Sequence, residues 1–403
     1  MKNICVIIPY SYPVPAILGG AVETLVQFLI DENEKAPSFQ FTILATYSNK
    51  NENVQASYKH AKFIYYKPRK LLDPIWFFVF RAIKKVFRIY IPFSPRFVSI
   101  LRHLKREGER YDYVLFESGL TYMLPLVAKV YPKERILNHI HWPGDGNQKI
   151  DKSFAYLLSV SHFCAEEWKK ATARKDDKIF VWNNGYNDYF FKKRISGNEK
   201  EKLYKELKLS ETDDILIYVG RIIPEKGIKE LLEALQKLHN EKLVLLLIGK
   251  ANFGLDKTTA FEKEINSIIQ KGSIRVIQAG FVSNENLYKY YGISTLAVMP
   301  TLVDESAGMV NIEAMASGVP LITTDKGAVK EYVGDAAVVL DTECEFVDKL
   351  ADAINDLLLH SDKRERMIQD GLKRACYFAK AEYFKHFISI IDNIERQEQR
   401  IKK

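Results

Sequence analysis

Short, continuous apolar runs recur along the whole chain and alternate with segments of helical periodicity. Because these runs are apolar on both faces, they predict strands of parallel sheets that helices cover on both sides. The chain is therefore predicted to be α/β, with ligands at the carboxyl ends of its strands. The runs cover 4–9, 41–45, 113–116, 136–140 and 157–161 in the first half, and 215–219, 243–248, 274–279, 296–299, 321–323 and 337–340 in the second.

The boundary between two predicted domains falls near residue 190, where the chain becomes polar and charged over 190–212. A chain of 403 residues suits two or three domains. We predict a first Rossmann-like domain over 1–190 and a second over 191–380. Two such domains place a cleft between them, which is a common position for a ligand. The last segment, 381–403, has the pattern of an amphipathic helix.

The net charge of +8 is concentrated in one segment. Residues 62–106 hold twelve Lys and Arg and one acid, Asp73, so the segment carries +11 and the rest of the chain −3. No apolar run approaches the roughly 18 residues of a membrane span, and no secretory pattern opens the chain, so a cytoplasmic protein is expected. The cysteines lie too far apart for a zinc site or a disulfide framework: Cys5, Cys164, Cys344 and Cys376.

Within that basic segment, bulky apolar residues are interleaved with cations. The stretch 75–80 is followed by Arg81, Lys84, Lys85 and Arg88. This mixture suits an anionic membrane surface, so we expect peripheral contact through 62–106 at the inner face of the cell membrane. Single-stranded nucleic acid is the competing partner, but no nucleic-acid motif accompanies the segment and none is expected to bind. A core-facing helix with a solvated basic face is the other alternative.

Two loops have the composition of phosphate sites. Gly19 and Gly20 precede a helical pattern, whose first amides favour an anionic group. They do not form the Gly-x-Gly-x-x-Gly fingerprint, which argues against a nicotinamide dehydrogenase, and an ordinary turn is the alternative. Arg221 and Lys226 follow the run 215–219 and can converge on one diphosphate. The alternative there is a solvated charged loop.

The most informative segment is 299–320. Glu305 lies in a polar loop, and Gly308 begins a predicted helix that carries Glu313. Two carboxylates near a helix start suit a hydroxyl-rich ligand, because each accepts hydrogen bonds from a diol. The alternative is a solvated loop acid and a salt-bridged helix acid. Unpaired backbone donors at the helix start can bind phosphate, namely the amides of Gly308, Met309 and Val310.

These motifs resemble those of retaining GT-B glycosyltransferases of family GT4. Glu305 and Glu313, with the following 314–320, are similar to the family signature. The stretch 220–227 resembles the diphosphate-binding motif of the family, and Gly19-Gly20 resembles its N-terminal glycine loop. The resemblance covers nearly the whole chain and is strongest in the second domain. Further landmarks are Ser159-Val160-Ser161 and Asn184-Gly185.

The resemblance implies a nucleotide-sugar donor held mainly by the second domain and an acceptor held mainly by the first. The helix 381–403 would pack back on the first domain. Arg221 and Lys226 would hold the diphosphate, Glu313 the ribose hydroxyls and Glu305 the sugar hydroxyls. The sugar and phosphate would also face the amides of Gly308, Met309 and Val310. Ala307 stands where the family often has an aromatic residue, which leaves the donor sugar open.

Two histidines, His139 and His141, stand at the end of the run 136–140 and share one face of the predicted strand. The resemblance places a histidine here near the reacting sugar, and we assign that role to His141. A structural histidine is the alternative. No Asp-x-Asp occurs and no third ligand is visible near the pair, so no metal or cofactor is expected. Arg221 and Lys226 would replace a divalent ion at the leaving group.

We therefore predict a retaining glycosyltransferase that moves a hexosyl unit from a nucleotide diphosphate sugar, expected to be a UDP-sugar. The acceptor would be a hydroxyl of a lipid-linked glycan or a growing cell-surface polysaccharide. The predicted catalytic residues are Glu305, His141, Arg221 and Lys226. Two alternatives stay open. A glycoside hydrolase would use Glu305 and Glu313 as its carboxylate pair. A non-catalytic, membrane-associated subunit of a glycosyltransferase complex would need neither carboxylate.

Overall fold

The chain forms two compact units, Met1–Gly185 together with Lys380–Lys403, and Tyr186–Ala379. The chain passes into the second unit near the predicted residue 190, where Tyr186 N donates to the carbonyl of Phe378 at 2.9 Å. This architecture comes from a computed structural model. The residues that it describes are 1–8, 12–17, 20–51, 53–67, 75–76, 78–79, 95–117, 121–144, 146–251, 258–272 and 274–401.

The first unit is built on a seven-stranded sheet in the order β3-β2-β1-β4-β5-β6-β7, and every neighbouring pair is parallel. Its strands are β1 Lys2–Ile7, β2 Phe39–Thr46, β3 Ala61–Tyr66, β4 Tyr113–Glu117, β5 Ile136–Ile140, β6 Tyr156–Ser159 and β7 Ile179–Val181. Its helices before the second unit are α1 Ala21–Lys35, α2 Pro95–Glu107, α3 Leu124–Val127, α4 Gln148–Asp151 and α5 His162–Thr172.

The second unit has a six-stranded parallel sheet in the order β10-β9-β8-β11-β12-β13. Its strands are β8 Asp214–Val219, β9 Leu243–Ile248, β10 Arg275–Gly280, β11 Leu296–Met299, β12 Leu321–Thr324 and β13 Val338–Leu340. Its helices are α6 Tyr189–Lys192, α7 Gly197–Leu207, α8 Ile228–Lys237, α9 Ala260–Lys271, α10 Asn284–Tyr291, α11 Met309–Ala316, α12 Val329–Val333, α13 Phe346–Leu359 and α14 Ser361–Cys376. Short 3-10 turns include Lys133–Arg135 and Pro224–Lys226.

Both sheets confirm the prediction of two parallel α/β units, but the sequence analysis misses two strands. The missing strands, β3 and β7, are the two edges of the first sheet. The inner strands β4, β5 and β6 are buried along their length, whereas only two of the six residues of β3 and none of β7 are buried. Lys62 interrupts β3 and β7 has only three residues, so both offer a weaker apolar run than the inner strands of this sheet.

The last helix, α15 Lys380–Ile401, belongs to the first unit. Its apolar face is buried in the core that β1, β2 and α1 also build. Trp182 stacks on Tyr383 of this helix with ring centroids 4.4 Å apart and an interplanar angle of 8°, and its indole N–H donates to the Tyr383 carbonyl at 3.0 Å. Other buried side chains of the helix are Phe384, Phe387, Ile390, Ile391 and Ile394.

Only parts of the basic segment 62–106 fall within the described residues. At its end, α2 buries Phe97, Ile100 and Leu104, so this portion is a core-facing helix. The guanidinium of Arg96 turns inward and donates to the carbonyl of Ile8. Burial lowers the pKa of Arg96 to about 10. The predicted membrane-facing cations lie outside the described residues, namely Arg69, Lys70, Arg81, Lys84, Lys85 and Arg88. In the part that is described, no helix is both long and apolar enough to span a bilayer.

Candidate functional site

A pocket of about 290 Å³ opens at the carboxyl ends of β8 and β11 in the second unit. Parallel sheets bind ligands at this edge, because the loops after the strands converge there. The pocket is lined by six residues that the sequence had already predicted as site residues: Arg221, Lys226, Glu305, Gly308, Met309 and Val310. The structure adds Tyr218, Val219, Gly220, Met299, Thr301 and Asn311 to the lining.

Two cations and one carboxylate face the pocket. The ammonium of Lys226 contacts the carboxylate of Glu305, and both side chains are about four-fifths buried. Thr301 Oγ1 donates to the same Glu305 oxygen at 3.0 Å, which holds the carboxylate in place. Arg221 is exposed, and no described residue forms a hydrogen bond or an ion pair with its guanidinium. The pocket therefore offers one cation paired within the protein and one available to an anionic ligand.

Two glycines allow the pocket loops to approach one another closely. At Gly227 (φ 67°), a Cβ would lie 1.9 Å from the carbonyl oxygen of Pro300. At Gly327 (φ 60°), it would lie 2.5 Å from the carbonyl oxygen of Glu305. No side chain fits at these distances, and the positive φ also favours glycine. The loop that carries Glu305 is thus fixed between two glycine turns, and Ala328 N donates to the Glu305 carbonyl at 2.8 Å.

The start of α11 points its backbone donors toward the pocket. Gly308 precedes the helix in a left-handed conformation, with φ 62° and ψ 50°, and supplies no capping side chain. The amides at the helix start are consequently open to an anionic ligand, and the helix dipole favours negative charge there. Asn311, one turn along, is buried, and its Oδ1 has no hydrogen-bond partner among the described residues. Asn311 could not be recognised from the sequence, because an isolated asparagine in a helix carries no motif.

Glu313 lies further along α11 and is not among the residues that line the pocket. Burial raises the pKa of its carboxyl to about 8. Within the described chain no side chain forms an ion pair or a hydrogen bond with it. Burial and, to a lesser extent, the charge of Glu313 raise the pKa of the Tyr291 phenol. A carboxyl that is poorly solvated and unpaired in this way is frequently found at functional sites.

The predicted glycine loop of the first unit is described only in part. Gly19 lies outside the described residues. Gly20 directly precedes α1 with φ 102° and ψ 125°, and its carbonyl accepts the hydroxyl of Thr24 at 2.7 Å. A Cβ at Gly20 would lie 2.2 Å from a carboxylate oxygen of Glu23. Gly20 therefore stands at a helix start, as predicted, where a buried acid approaches its backbone.

The two predicted histidines share a carboxylate that the sequence analysis missed. Glu117, the last residue of β4, is fully buried. One of its oxygens lies 3.0 Å from His139 Nδ1 and 3.0 Å from His141 Nε2. Glu117 stands 22 residues before His139, so only the strand pairing brings them together. The available signal was an acid at the end of a buried apolar run, a position that rarely holds an unpaired charge.

This trio is the one group in the described part of the chain with three ligand-type atoms within 4.8 Å of one another. A third potential ligand therefore does lie near the histidines, contrary to the expectation from the sequence. The contacts in the structure are hydrogen bonds, however. Each ring nitrogen that faces the carboxylate must carry a proton to donate to it, and a metal ion would have to replace both protons.

Comparison with known proteins identifies relatives that match between about half and two thirds or more of the chain. The family described as "Glycosyl transferases group 1" matches residues 199–374. The lipopolysaccharide 1,2-N-acetylglucosaminetransferase of Salmonella typhimurium is 30% identical over 291 residues, which are 70% of this chain and 72% of the relative. The capsular polysaccharide biosynthesis glycosyltransferase CapM of Staphylococcus aureus is 27% identical over 225 residues, which are 54% of this chain and 56% of the relative.

Solved structures share the fold over nearly the full length. Anabaena Alr3699/HepE in complex with UDP superposes with a TM-score of 0.69 at 16% identity, covering 97% of this chain and 100% of that protein. The lipopolysaccharide outer core galactosyltransferase WaaB in its apo form gives a TM-score of 0.66 at 18% identity, covering 98% of this chain and 99% of that protein. At these identities the likeness concerns the fold alone.

Proposed function

Because the chain belongs to the glycosyl transferases group 1 family and is a glycosyltransferase, we propose that it moves a hexosyl unit from a UDP-sugar to a glycan hydroxyl with retention of configuration. The observation that carries the proposal is the pocket of the second unit. It combines two cations, open helix-start amides and a carboxylate at the carboxyl edge of a parallel sheet. Diphosphate and sugar hydroxyls need these groups together.

In this proposal Arg221 and Lys226 hold the diphosphate and stabilise the charge that develops as the nucleotide leaves. Glu305 accepts hydrogen bonds from the sugar hydroxyls. An ammonium has three donors, so Lys226 can serve a phosphate oxygen and Glu305 at once. Glu313 is assigned to the ribose hydroxyls, and no metal is required at the leaving group. Phosphate oxygens accept hydrogen bonds from the amides of Gly308, Met309 and Val310.

The uridine base and the acceptor are supported by the relatives. Anabaena Alr3699/HepE has been solved with UDP and with UDP-glucose, and the two curated relatives are named for lipopolysaccharide and capsular polysaccharide synthesis. We assign the acceptor, a lipid-linked glycan or a growing cell-surface polysaccharide, to the first unit. His141 in that unit is assigned to a sugar hydroxyl, and Gly20 to the phosphate-facing start of α1.

A lipid-linked acceptor is the reason to propose peripheral binding at the inner face of an anionic membrane. Apolar side chains in the middle of the basic segment 62–106 face solvent, since Ile75 is 58%, Trp76 46% and Phe78 66% exposed. Apolar groups at the headgroup level add hydrophobic burial to the attraction between cations and anionic lipid. Nucleic acid is not proposed as a partner.

The glycoside hydrolase alternative is not favoured. It requires two carboxyls that flank one glycosidic bond. Glu305 lines the pocket but contacts Lys226, whereas Glu313 is not among the lining residues. A hydrolase also has no use for a diphosphate site. A non-catalytic subunit would bind the donor without releasing nucleoside diphosphate, so the measurement of that product separates it from the proposed enzyme.

The decisive experiment is a screen of nucleotide sugars by thermal shift, followed by transfer assays with the donors that bind. A bound donor raises the melting temperature by mass action. We expect UDP-sugars to stabilise the protein, and we expect an acceptor glycan to trigger UDP release and a product with the donor's anomeric configuration by NMR. If no nucleotide sugar shifts the melting temperature and none yields nucleoside diphosphate, the proposal is wrong.

A further inference from the structure

The trio of Glu117, His139 and His141 follows from strand register. Glu117 in β4 is the Cα partner of His139 in β5, so the two side chains leave neighbouring strands on the same face of the sheet. His141 is two residues further and points in the same direction. All three stand at the carboxyl ends of their strands, on the face that α15 covers with the Tyr383 ring.

The hydrogen-bond pattern determines where the protons lie. Burial opposes the ionisation of Glu117. The charges of His139 and His141, together with the hydrogen bonds from both rings, nevertheless lower the pKa of Glu117 to about 2. An ionised carboxylate only accepts, so His139 Nδ1 and His141 Nε2 must both be N–H donors. Burial, followed by the charge of His139, lowers the pKa of His141. A neutral His141 with a proton on Nε2 has a lone pair on Nδ1.

The two histidines differ in what surrounds them. His139 is fully buried and stacks on Trp182 at 4.5 Å, and Trp182 in turn stacks on Tyr383. Its Nε2 is buried and has no hydrogen-bond partner in the described chain. His141 keeps 14% of its side chain exposed, and no described residue bonds to its Nδ1. Of the two, His141 is the histidine that a ligand can reach.

We propose that Glu117 is a positioning residue for His141: it holds the imidazole with Nε2–H directed at the carboxylate, and it leaves Nδ1 to accept a hydrogen bond from a sugar hydroxyl. This inference rests on the proposed function, because it states how His141 contacts its ligand there. His139 and the Trp182–Tyr383 stack act behind Glu117 by fixing the orientation of its carboxylate.

The proton positions can be tested in the unmodified protein, without any substrate. Long-range proton–nitrogen NMR of ¹⁵N-histidine-labelled full-length protein at neutral pH distinguishes the two imidazole tautomers, and a His141→Gln variant assigns the signal. We expect His141 in the Nε2–H form. An Nδ1–H form overturns the proposal. Binding of equimolar Zn²⁺ to the trio with loss of the Nε2–H signal also overturns the proposal, because the nitrogen would then be a metal ligand.

The consequence for transfer is tested with Glu117→Gln. The neutral amide accepts more weakly than a carboxylate and also presents an N–H₂, which can donate to a deprotonated ring nitrogen, so the tautomer of His141 is no longer fixed. We expect kcat to fall by about 100-fold, the order of a lost proton-positioning contact, with the donor KM within about twofold. Glu117→Asp, which keeps the charge, should recover part of the loss. Because Glu117 acts through His141, combining Glu117→Gln with His141→Ala should cost no more than His141→Ala alone.

Glu32→Gln is the matched control. Glu32 is also a buried glutamate of the first unit, paired with Lys35 on α1 at 2.6 Å, and its replacement should leave kcat within about twofold. Full activity of a folded Glu117→Gln protein with an unchanged His141 spectrum would refute the proposal. If the unmodified protein transfers no sugar, the proposed function fails, whereas the NMR measurement still decides the tautomer.

Discussion

Lys226 and Glu305 show how one contact can prepare a binding site. The two side chains neutralise each other within the pocket, and each is about four-fifths buried. A partly buried charge without a partner is costly, so the pair stabilises both groups in their positions at the pocket wall. Arg221 remains exposed beside them. The pocket thus combines Lys226, which is held by an ion pair, with Arg221, which is exposed.

The first prediction concerns Lys226. Lys226→Ala should weaken UDP binding by roughly 10- to 100-fold, because a hydrogen bond between charged groups contributes about 1.5–3 kcal/mol. Isothermal titration calorimetry measures the change. Lys229→Ala is the matched control, since Lys229 pairs with Glu264 at 2.8 Å outside the pocket lining, and it should stay within about twofold. Equal affinities of the two variants would remove Lys226 from the diphosphate site.

A second prediction follows from the pKa of about 8 at Glu313. A glutamate whose pKa is raised on folding contributes most to stability below its unfolded value near 4.5, and that contribution is lost as the pH rises through 8. Glu313→Gln removes the cost of ionising a buried carboxyl. The variant should therefore gain melting temperature over the unmodified protein as the pH increases from 5 to 9. A constant difference across this range would show that Glu313 is not the buried acid described here.

At the scale of elements, the inner strands and the principal helices of the second unit could be predicted because their burial is continuous. The segment 229–238 and the helix beginning at Gly308 correspond to α8 and α11. The edge strands β3 and β7 were missed because Lys62 interrupts the first and the second has only three residues, whereas the edge strands β10 and β13 of the other sheet were predicted. Glu117 was missed for a different reason: its partners are neighbours through strand register, and one sequence contains no information on register.

The loop between β11 and α11 gives a third prediction. Gly327→Ala should push the Glu305 loop away, since a Cβ there meets the Glu305 carbonyl oxygen and the positive φ strains any L-residue. We expect UDP affinity to fall at least tenfold, with the secondary structure retained by circular dichroism. Gly197→Ala is the control, because a Cβ there meets nothing within 4 Å. Unchanged affinity of Gly327→Ala would mean that the loop position does not matter for the nucleotide.

The last helix, α15, gives the fourth prediction. Phe387→Ala should destabilise the first unit by about 3–5 kcal/mol, the usual cost of a deleted buried aromatic ring. Phe387 packs on Trp182 at 4.7 Å, so tryptophan emission should shift to longer wavelength at a lower urea concentration. Asn393→Ala, on the exposed side of the same helix, should leave the transition unchanged. A Phe387→Ala transition that matches the unmodified protein would contradict this packing.

For the whole molecule, the pattern of apolar runs predicts two α/β units, whereas the net charge has to be located along the chain before it is informative. The net charge of +8 arises from residues 62–106. Part of that segment is core, as Arg96 and α2 show. Arg96 turns inward, whereas Lys62, Arg102 and Lys105 are exposed, so the net charge of the segment overstates the number of cations at its surface.

The fifth prediction tests this surface. Replacement of Lys84, Lys85 and Arg88 by Glu should abolish most binding to vesicles that contain anionic lipid, and added salt should weaken binding of the unmodified protein, because each cation near the membrane contributes about 1 kcal/mol. The control carries the same charge change on α7, with Lys200, Lys202 and Lys205 replaced by Glu. Equal binding of both triple variants would discard the membrane proposal.

The return of α15 to the first unit has a consequence for biosynthesis. The strands of the first sheet leave the ribosome well before the helix that covers them, because the second unit, Tyr186–Ala379, is translated in between. At roughly 5–20 residues per second, these about 190 residues take roughly 10–40 s. During that interval the nascent first unit exposes the surface that Tyr383, Phe387 and Ile391 later bury. A chaperone that binds apolar surfaces would meet its substrate in this window.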